Sequence, residues 1–174
     1  KKLSNNFNGD SGRDAERLLE DLGVKINRGA GPDILFYGLE VKTRKISATS
    51  AQTVCVMSPD SIIATEYYNS PVYSKFQQQL RIKINDDDVI VEVDVYDFDQ
   101  PQIQGLVKDA YDNARRQITN DPNLRYTPYK GFWGYFEATR PESTSLDFRF
   151  SAEHMDKLET MAKSTFNNIF EYEQ

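Results

Sequence analysis

From Leu80 to Phe98 the chain reads LRIKINDDDVIVEVDVYDF, two runs of strict alternation about an acidic centre. Successive strand side chains point to opposite faces, so the pattern predicts an antiparallel hairpin with one wet face. Asp86, Asp87 and Asp88 read as its turn rather than as a metal cluster. The rest of the chain must supply the elements that complete this sheet.

Upstream, GRDAERLLEDL sets Ala15, Leu18, Leu19 and Leu22 at helical spacing, with Gly23 as the stop. DILF and LEVKT around Tyr37-Gly38 read as a two-strand unit, QTVCVMS (Gln52 to Ser58) as a third strand, and the segment from Ser70 as a short helix with Pro71 in its first turn. Downstream, a long amphipathic helix begins just after Pro101, GFWGYFEAT and SLDFRFS are late strands, and a closing helix takes Ser151 as its cap. The loop around Asn120 to Lys130 is a candidate hinge. The order predicts a mixed α/β or α+β fold with a central mixed sheet flanked by helices.

At 174 residues, 39% hydrophobic and 28% charged, the chain fits one domain that needs neither disulfide nor metal to fold. No apolar run approaches the length of a bilayer crossing, so no membrane role is expected. One cysteine, Cys55, and one histidine, His154, exclude disulfide frameworks, zinc clusters and histidine triads, so any metal must be held by oxygen. The polar start without an apolar core segment predicts no signal peptide and a cytoplasmic protein, and the missing Met suggests a trimmed chain or a domain. A net charge of −6 argues against loose affinity for nucleic acid, but leaves room for a DNA enzyme whose cations line a cleft and whose carboxylates hold a divalent ion.

Against this background GPDILFYGLEVKTR, Gly31 to Arg44, places Asp33, Glu40 and Lys42 in an otherwise apolar, strand-forming run. With Tyr37-Gly38 as a two-residue turn, Phe36 pairs with Leu39, Leu35 with Glu40, Ile34 with Val41 and Asp33 with Lys42. The two carboxylates and the ammonium then share one face, and Ile34 and Val41 point to the other. A longer loop would shift the register, and an odd shift would exchange the faces. Adjacent carboxylates repel unless a cation lies between them, and an all-oxygen site suits a hard ion such as Mg²⁺. Such an ion with a neighbouring lysine is the apparatus of phosphoryl transfer. An exposed, salt-bridged hairpin face would carry the same triplet.

Pro32-Asp33, six residues, then Glu40-Val41-Lys42 resembles the signature of the PD-(D/E)xK nuclease superfamily, and within it the MutH family of mismatch-repair nicking endonucleases and GATC-cutting type II restriction endonucleases. RLLE in the first helix, LEVKT, QTVCVMSP and SPVYSKFQQQLRI follow that family's order between Glu20 and about Arg81. The resemblance implies a restriction-endonuclease-like fold, with a catalytic lobe over about 10–85 and a DNA-recognition lobe over about 86–174. It implies that Asp33 and Glu40 bind Mg²⁺, or Mn²⁺ in its place, with Val41 beside them. Lys42 and Lys75 would serve the water and the scissile phosphate, and Glu20 would assist from the helix. Glu16 is the rival to Glu20, being one turn away on the same face. Asp60 and Glu66, in the following loop, are further carboxylates near the signature.

The resemblance thins in the C-terminal half, where FWGYFEATRPES and SLDFRFS stand in for the base-reading strands. Gly134, Arg140 and Pro141 fit, but Phe132 and Trp133 replace a basic pair, which implies a changed or relaxed target sequence. Lys130, Arg140, Arg149 and Lys75 are the candidates for DNA contact, with Arg125 behind them. The rings of YTPYKGFWGYF read as core, or as a wedge for a groove at Phe132 or Trp133.

The leading expectation is a Mg²⁺-dependent, sequence-specific endonuclease acting on double-stranded DNA, as a monomer or a transient dimer. A mismatch-repair nicking enzyme with repair-protein partners, a non-catalytic DNA-binding module of the same fold and an RNA- or structure-selective nuclease are the alternatives.

Overall fold

The computed structural model describes residues 11–29, 31–49, 52–121, 129–133, 136–140 and 146–171. The chain divides into two compact units that interleave along the sequence, one formed by 1–48 and 75–97, the other by 49–74 and 98–174. The expected lobe boundary near residue 85 falls within the first of them.

The first unit begins with helix α1 (Ser11–Asp21). It ends in a Schellman turn: Val24 N–H donates to Leu19 O and Gly23 N–H to Glu20 O, both at 2.9 Å, with Gly23 at φ +84° where a side chain would be strained. Strands β1 (Leu39–Lys45), parallel to β3 (Gln78–Ile84), and β4 (Ile90–Asp97), antiparallel to β3, make a mixed sheet in the order β1-β3-β4. Ala15, Ile26, Ile34, Val41, Ile82 and Ile84 form a core, with Leu18, Leu19, Val24 and Leu80 packed against it. The apolar face of α1 thus covers one face of β1 and β3.

The β3–β4 hairpin forms where alternation places it. Asn85 Oδ1 accepts from the N–H groups of Asp87 and Val89, and Asp88 takes the left-handed φ of 57°, so the acidic triplet is a turn. The exposures follow a less obvious course. Gln79 and Arg81 are buried, whereas Val91, Val93 and Val95 of the edge strand are about half exposed. Register puts Val93 opposite Ile82 and Val95 opposite Leu80, on the α1-covered face but one strand farther out.

One expected strand is absent. Leu35–Tyr37 is a 3₁₀ turn closed by Gly38 at φ 64°, and among the described residues it is paired only through the Ile34–Leu39 bridge. Leu35, Phe36 and Tyr37 are all exposed, Phe36 to 88%. The turn spans four residues rather than two, because Ile34 and Leu39 exchange both backbone hydrogen bonds, at 2.8 and 3.1 Å. The shift removes the expected pairing of Asp33 with Lys42; the Asp33 carboxylate instead accepts from the backbone N–H of Val41 at 2.8 Å.

The second unit contains β2 (Gln52–Met57), helix α2 (Pro59–Ala64), a 3₁₀ turn at Tyr67–Asn69, and α3 (Pro71–Lys75), whose last residue returns the chain to the first unit. Helix α4 (Pro101–Asn120), strands β5 (Tyr129–Trp133), β6 (Phe136–Arg140) and β7 (Leu146–Phe150), and helix α5 (Ala152–Glu171) complete it. Its sheet is antiparallel in the order β2-β7-β6-β5. The described strands therefore lie in two sheets rather than one central sheet, and the expected strand at GFWGYFEAT is split between β5 and β6. Ile103, Val107, Ala110, Tyr111, Ala114 and Ile118 form the buried stripe of α4, and Tyr67, Phe148, Phe150 and Leu158 are fully buried in the same unit. Ser151 caps α5 by accepting from His154 N–H at 3.2 Å. Helix α2 was not foreseen, although Ser58-Pro59-Asp60 is an N-terminal signal, Ser58 Oγ accepting from Ser61 N–H at 3.2 Å. Among the described residues no helix is long and apolar enough to cross a membrane. Of the expected hinge, Asn120 ends α4, Asp121 follows it, Tyr129 and Lys130 open β5, and 122–128 lie outside the described residues.

Candidate active site

The opening of β1 gathers the charged residues of the first unit. Leu39 uses its N–H and C=O towards Ile34, along the edge of β1 that faces away from β3. Val41, two residues on, repeats that direction, and its N–H donates to Asp33 Oδ2 at 2.8 Å. The Val41 carbonyl points to the same edge as the Asp33 carboxylate. Asn27 braces the preceding loop, its N–H donating to Asp33 O at 2.7 Å and its Nδ2 to Pro32 O at 3.2 Å.

Glu40 and Lys42 point to the opposite face of β1 from the Val41 side chain. Glu40 is 2% exposed, and its Oε1 accepts from Lys42 Nζ at 2.8 Å. Lys75, 35 residues away in sequence, reaches the same carboxylate, with Nζ at 3.1 Å from Oε1 and 3.3 Å from Oε2. Gln79, opposite Glu40 in the β1–β3 register, holds Lys75 in turn: its Nε2 donates to Lys75 O at 3.1 Å. A buried carboxylate is tolerated when its charge is compensated and its lone pairs are used, and two ammonium groups do both here.

On α1, Glu16 and Glu20 share Arg28, whose Nη1 and Nη2 donate to Glu16 Oε2 at 2.7 Å and Glu20 Oε1 at 2.8 Å. Both helix carboxylates are thus tied to the loop that leads to Asp33. Burial and then the charge of Asp33 hold the Glu16 carboxyl above its ordinary range, with Glu20 and Glu40 adding to the effect and Arg28 opposing it. Arg28 was not singled out from the sequence; its position between α1 and the signature aspartate was the available signal. Gln79 and Arg81, buried opposite Glu40 and Lys42, were also missed.

The remaining expectations fall elsewhere. Asp60 in the first turn of α2 and Glu66 before the Tyr67–Asn69 turn are exposed residues of the second unit. Asp86 accepts from Ser47 Oγ at 2.5 Å and Asp88 pairs with Lys45 at 3.3 Å, both in the β3–β4 turn. Arg149 is half-buried in β7, level with Thr53 and Glu137. Lys130 and Arg140 lie on adjoining strands, Lys130 opposite Thr139 and Arg140 opposite Tyr129, where the backbone alone is described; Phe132 and Trp133 lie on β5 in the same way. Arg125, Gly134 and Pro141 lie outside the described residues.

Among the described residues no group of three or more His, Cys, Asp or Glu side chains is arranged to hold a metal ion. The oxygen atoms at the opening of β1 are the Asp33 carboxylate and the Val41 carbonyl along its outer edge and the Glu40 carboxylate on its face. That set suits Mg²⁺, which uses one or two protein carboxylates and fills its octahedron with water and substrate oxygens. Comparison of the sequence with known protein families and with curated proteins finds no match.

Proposed function

We propose that the protein is a Mg²⁺-dependent, sequence-specific DNA endonuclease of the PD-(D/E)xK superfamily, with a restriction-endonuclease-like, MutH-type fold. The observation that carries the reading is the meeting of Lys42 and Lys75 on the buried Glu40, beside an Asp33 fixed by the Val41 N–H. A salt-bridged surface hairpin accounts for an exposed triplet. It does not account for a carboxylate that is 2% exposed and shared by Lys42 and by Lys75, 35 residues away.

In this reading Asp33, Glu40 and the Val41 carbonyl would hold the ion, which would supply Lewis-acid polarisation of the phosphodiester. Lys42 orients the attacking water, and Lys75 neutralises charge that builds on the phosphoryl oxygens. The water oxygen bonds to phosphorus as the bond to the leaving oxygen breaks. The water's proton passes to solvent, and the leaving oxygen takes one from solvent. Both ammonium groups must exchange Glu40 for substrate, so the contacts between them describe the resting site. Glu20, held by Arg28, acts by fixing α1 against the signature loop. The partner is double-stranded DNA, bound by a monomer or a transient dimer, with Lys130, Arg140 and Arg149 as candidate contacts.

Cleavage of unmethylated plasmid DNA with Mg²⁺, comparing wild type with Lys42→Ala and sequencing the ends, tests the proposal. Discrete fragments that vanish in the variant support it and give the target. Nicked circles alone favour the mismatch-repair type of enzyme. Intact plasmid with DNA binding retained overturns it in favour of a non-catalytic module.

A further inference from the structure

The second unit holds a cleft of about 530 Å³ lined by Tyr68 from the 3₁₀ turn and by Lys108, Asp112, Arg115 and Arg116 of α4, with Glu66 at its side. The volume is that of a small-ligand site. Three cations face two carboxylates here, in a chain whose net charge is −6. Lys108 and Asp112 neutralise each other as a hydrogen-bonded pair one helical turn apart.

Two features are prepared in advance. Arg115 Nε donates to the carbonyl of Ile63 in α2 at 3.0 Å, which fixes the guanidinium, while its terminal nitrogens have no hydrogen-bond partner among the described residues. Tyr68 is 59% exposed, yet its ring is held edge-on by Tyr67 at 5.3 Å and Tyr73 at 5.2 Å. A fixed fork of donors suits a phosphate, and a fixed, open ring suits the face of a base.

We propose that this cleft binds an unpaired nucleotide of a DNA strand, with its base stacked on Tyr68 and its phosphate on Arg115 and Arg116. The choice of ligand rests on the DNA reading above; the residues that line the cleft all belong to the second unit. A stacking ring needs a base free of its partner, so the site serves a strand end or a displaced base rather than an intact duplex.

The test is fluorescence anisotropy of a labelled single-stranded oligonucleotide and of its blunt duplex, in EDTA so that cleavage plays no part. Wild type binds the single strand, and its affinity for the blunt duplex, the partner of the proposed function, does not depend on Tyr68. Tyr68→Leu, which changes no charge, weakens single-strand binding about tenfold. Arg116→Gln lowers the salt slope by about 1. Lys157→Gln, a charge change on α5 where Lys157 pairs with Glu153, leaves the affinity unchanged. Thermal melts matching wild type show that the variants are folded. Single-strand binding that ignores Tyr68, an equal loss in Lys157→Gln, or no binding by wild type overturns the inference. Plasmid cleavage by Tyr68→Leu, assayed in parallel, reports on the nuclease separately: a chain that never cleaves yet needs Tyr68 to bind leaves the cleft assignment standing.

Discussion

Lys75 and Glu40 lie 35 residues apart in sequence, and their charged atoms lie 3.1 Å apart, with Lys42 2.8 Å from the same oxygen. Removing one member of a buried charge group strands the others. Glu40→Gln leaves two partly buried ammonium groups around a neutral amide, and is expected to cost about 3 kcal/mol or more. Lys75→Met costs less, because Lys42 still compensates Glu40. Urea unfolding should rank wild type above Lys75→Met, and Lys75→Met above Glu40→Gln. A Glu40→Gln protein as stable as wild type would show that the cluster contributes nothing to folding.

Asp33 separates a structural role from a ligand role. Its Oδ2 accepts from the Val41 N–H, and an asparagine carbonyl accepts equally well. Asp33→Asn should unfold within about 1 kcal/mol of wild type, and Asp33→Ala, which loses the bond, about 1–2 kcal/mol lower. Under the proposed function, MgCl₂ raises the melting temperature of wild type and leaves that of Asp33→Asn unmoved. An equal upshift in both would remove Asp33 from the metal set.

These two residues show how far the sequence alone was legible. Period-two alternation marked β3 and β4, whereas the turn before β1 was taken as two residues long and the Ile34–Leu39 bridge closes four. The turn was misread because Leu35, Phe36 and Tyr37 favour strands, and composition cannot reveal that no neighbouring strand pairs with them. The division into two sheets was hidden for a related reason. Pairing β1 with β3 across the residues of β2 is a long-range choice that local patterns do not encode. The approach of Lys75 to Glu40 was suggested by the family resemblance and not by spacing. Arg28, a loop arginine between Asn27 and Gly29, carried no periodic signal at all.

Glu16 gives a pH dependence whose sign follows from its raised carboxyl. A carboxyl raised on folding binds its proton more tightly in the folded than in the unfolded chain. Stability then falls as pH rises from the ordinary value of 4.5 through the folded value, and the charged form costs stability above it. Glu16→Gln removes that titration. Melting temperatures across this range should fall for wild type relative to Glu16→Gln as pH rises, and Arg28→Met should widen the difference by removing the opposing charge. Parallel curves for wild type and Glu16→Gln would exclude Glu16 as the source.

The buried pair of Tyr67 and Gln104 makes the corresponding prediction at alkaline pH. Tyr67 O–H donates to Gln104 Oε1, and Gln104 Nε2 donates to Phe98 O at 3.0 Å. Burial pushes the Tyr67 phenol well above its ordinary 10.0, and Tyr111 up to about 12 for the same reason. The folded chain therefore keeps these protons where the unfolded chain loses them, and stability declines above pH 10.0. Tyr67→Phe removes the bond to Gln104 Oε1 and should cost about 1 kcal/mol at neutral pH. The same variant should lose stability less steeply in alkali, since one phenol that drives the decline is gone. Denaturant unfolding at neutral pH and above pH 10.0 reads both effects, and phenolate absorbance of wild type should show Tyr67 and Tyr111 ionising only as the fold opens. An unchanged alkaline slope in Tyr67→Phe would mean that other groups drive the transition.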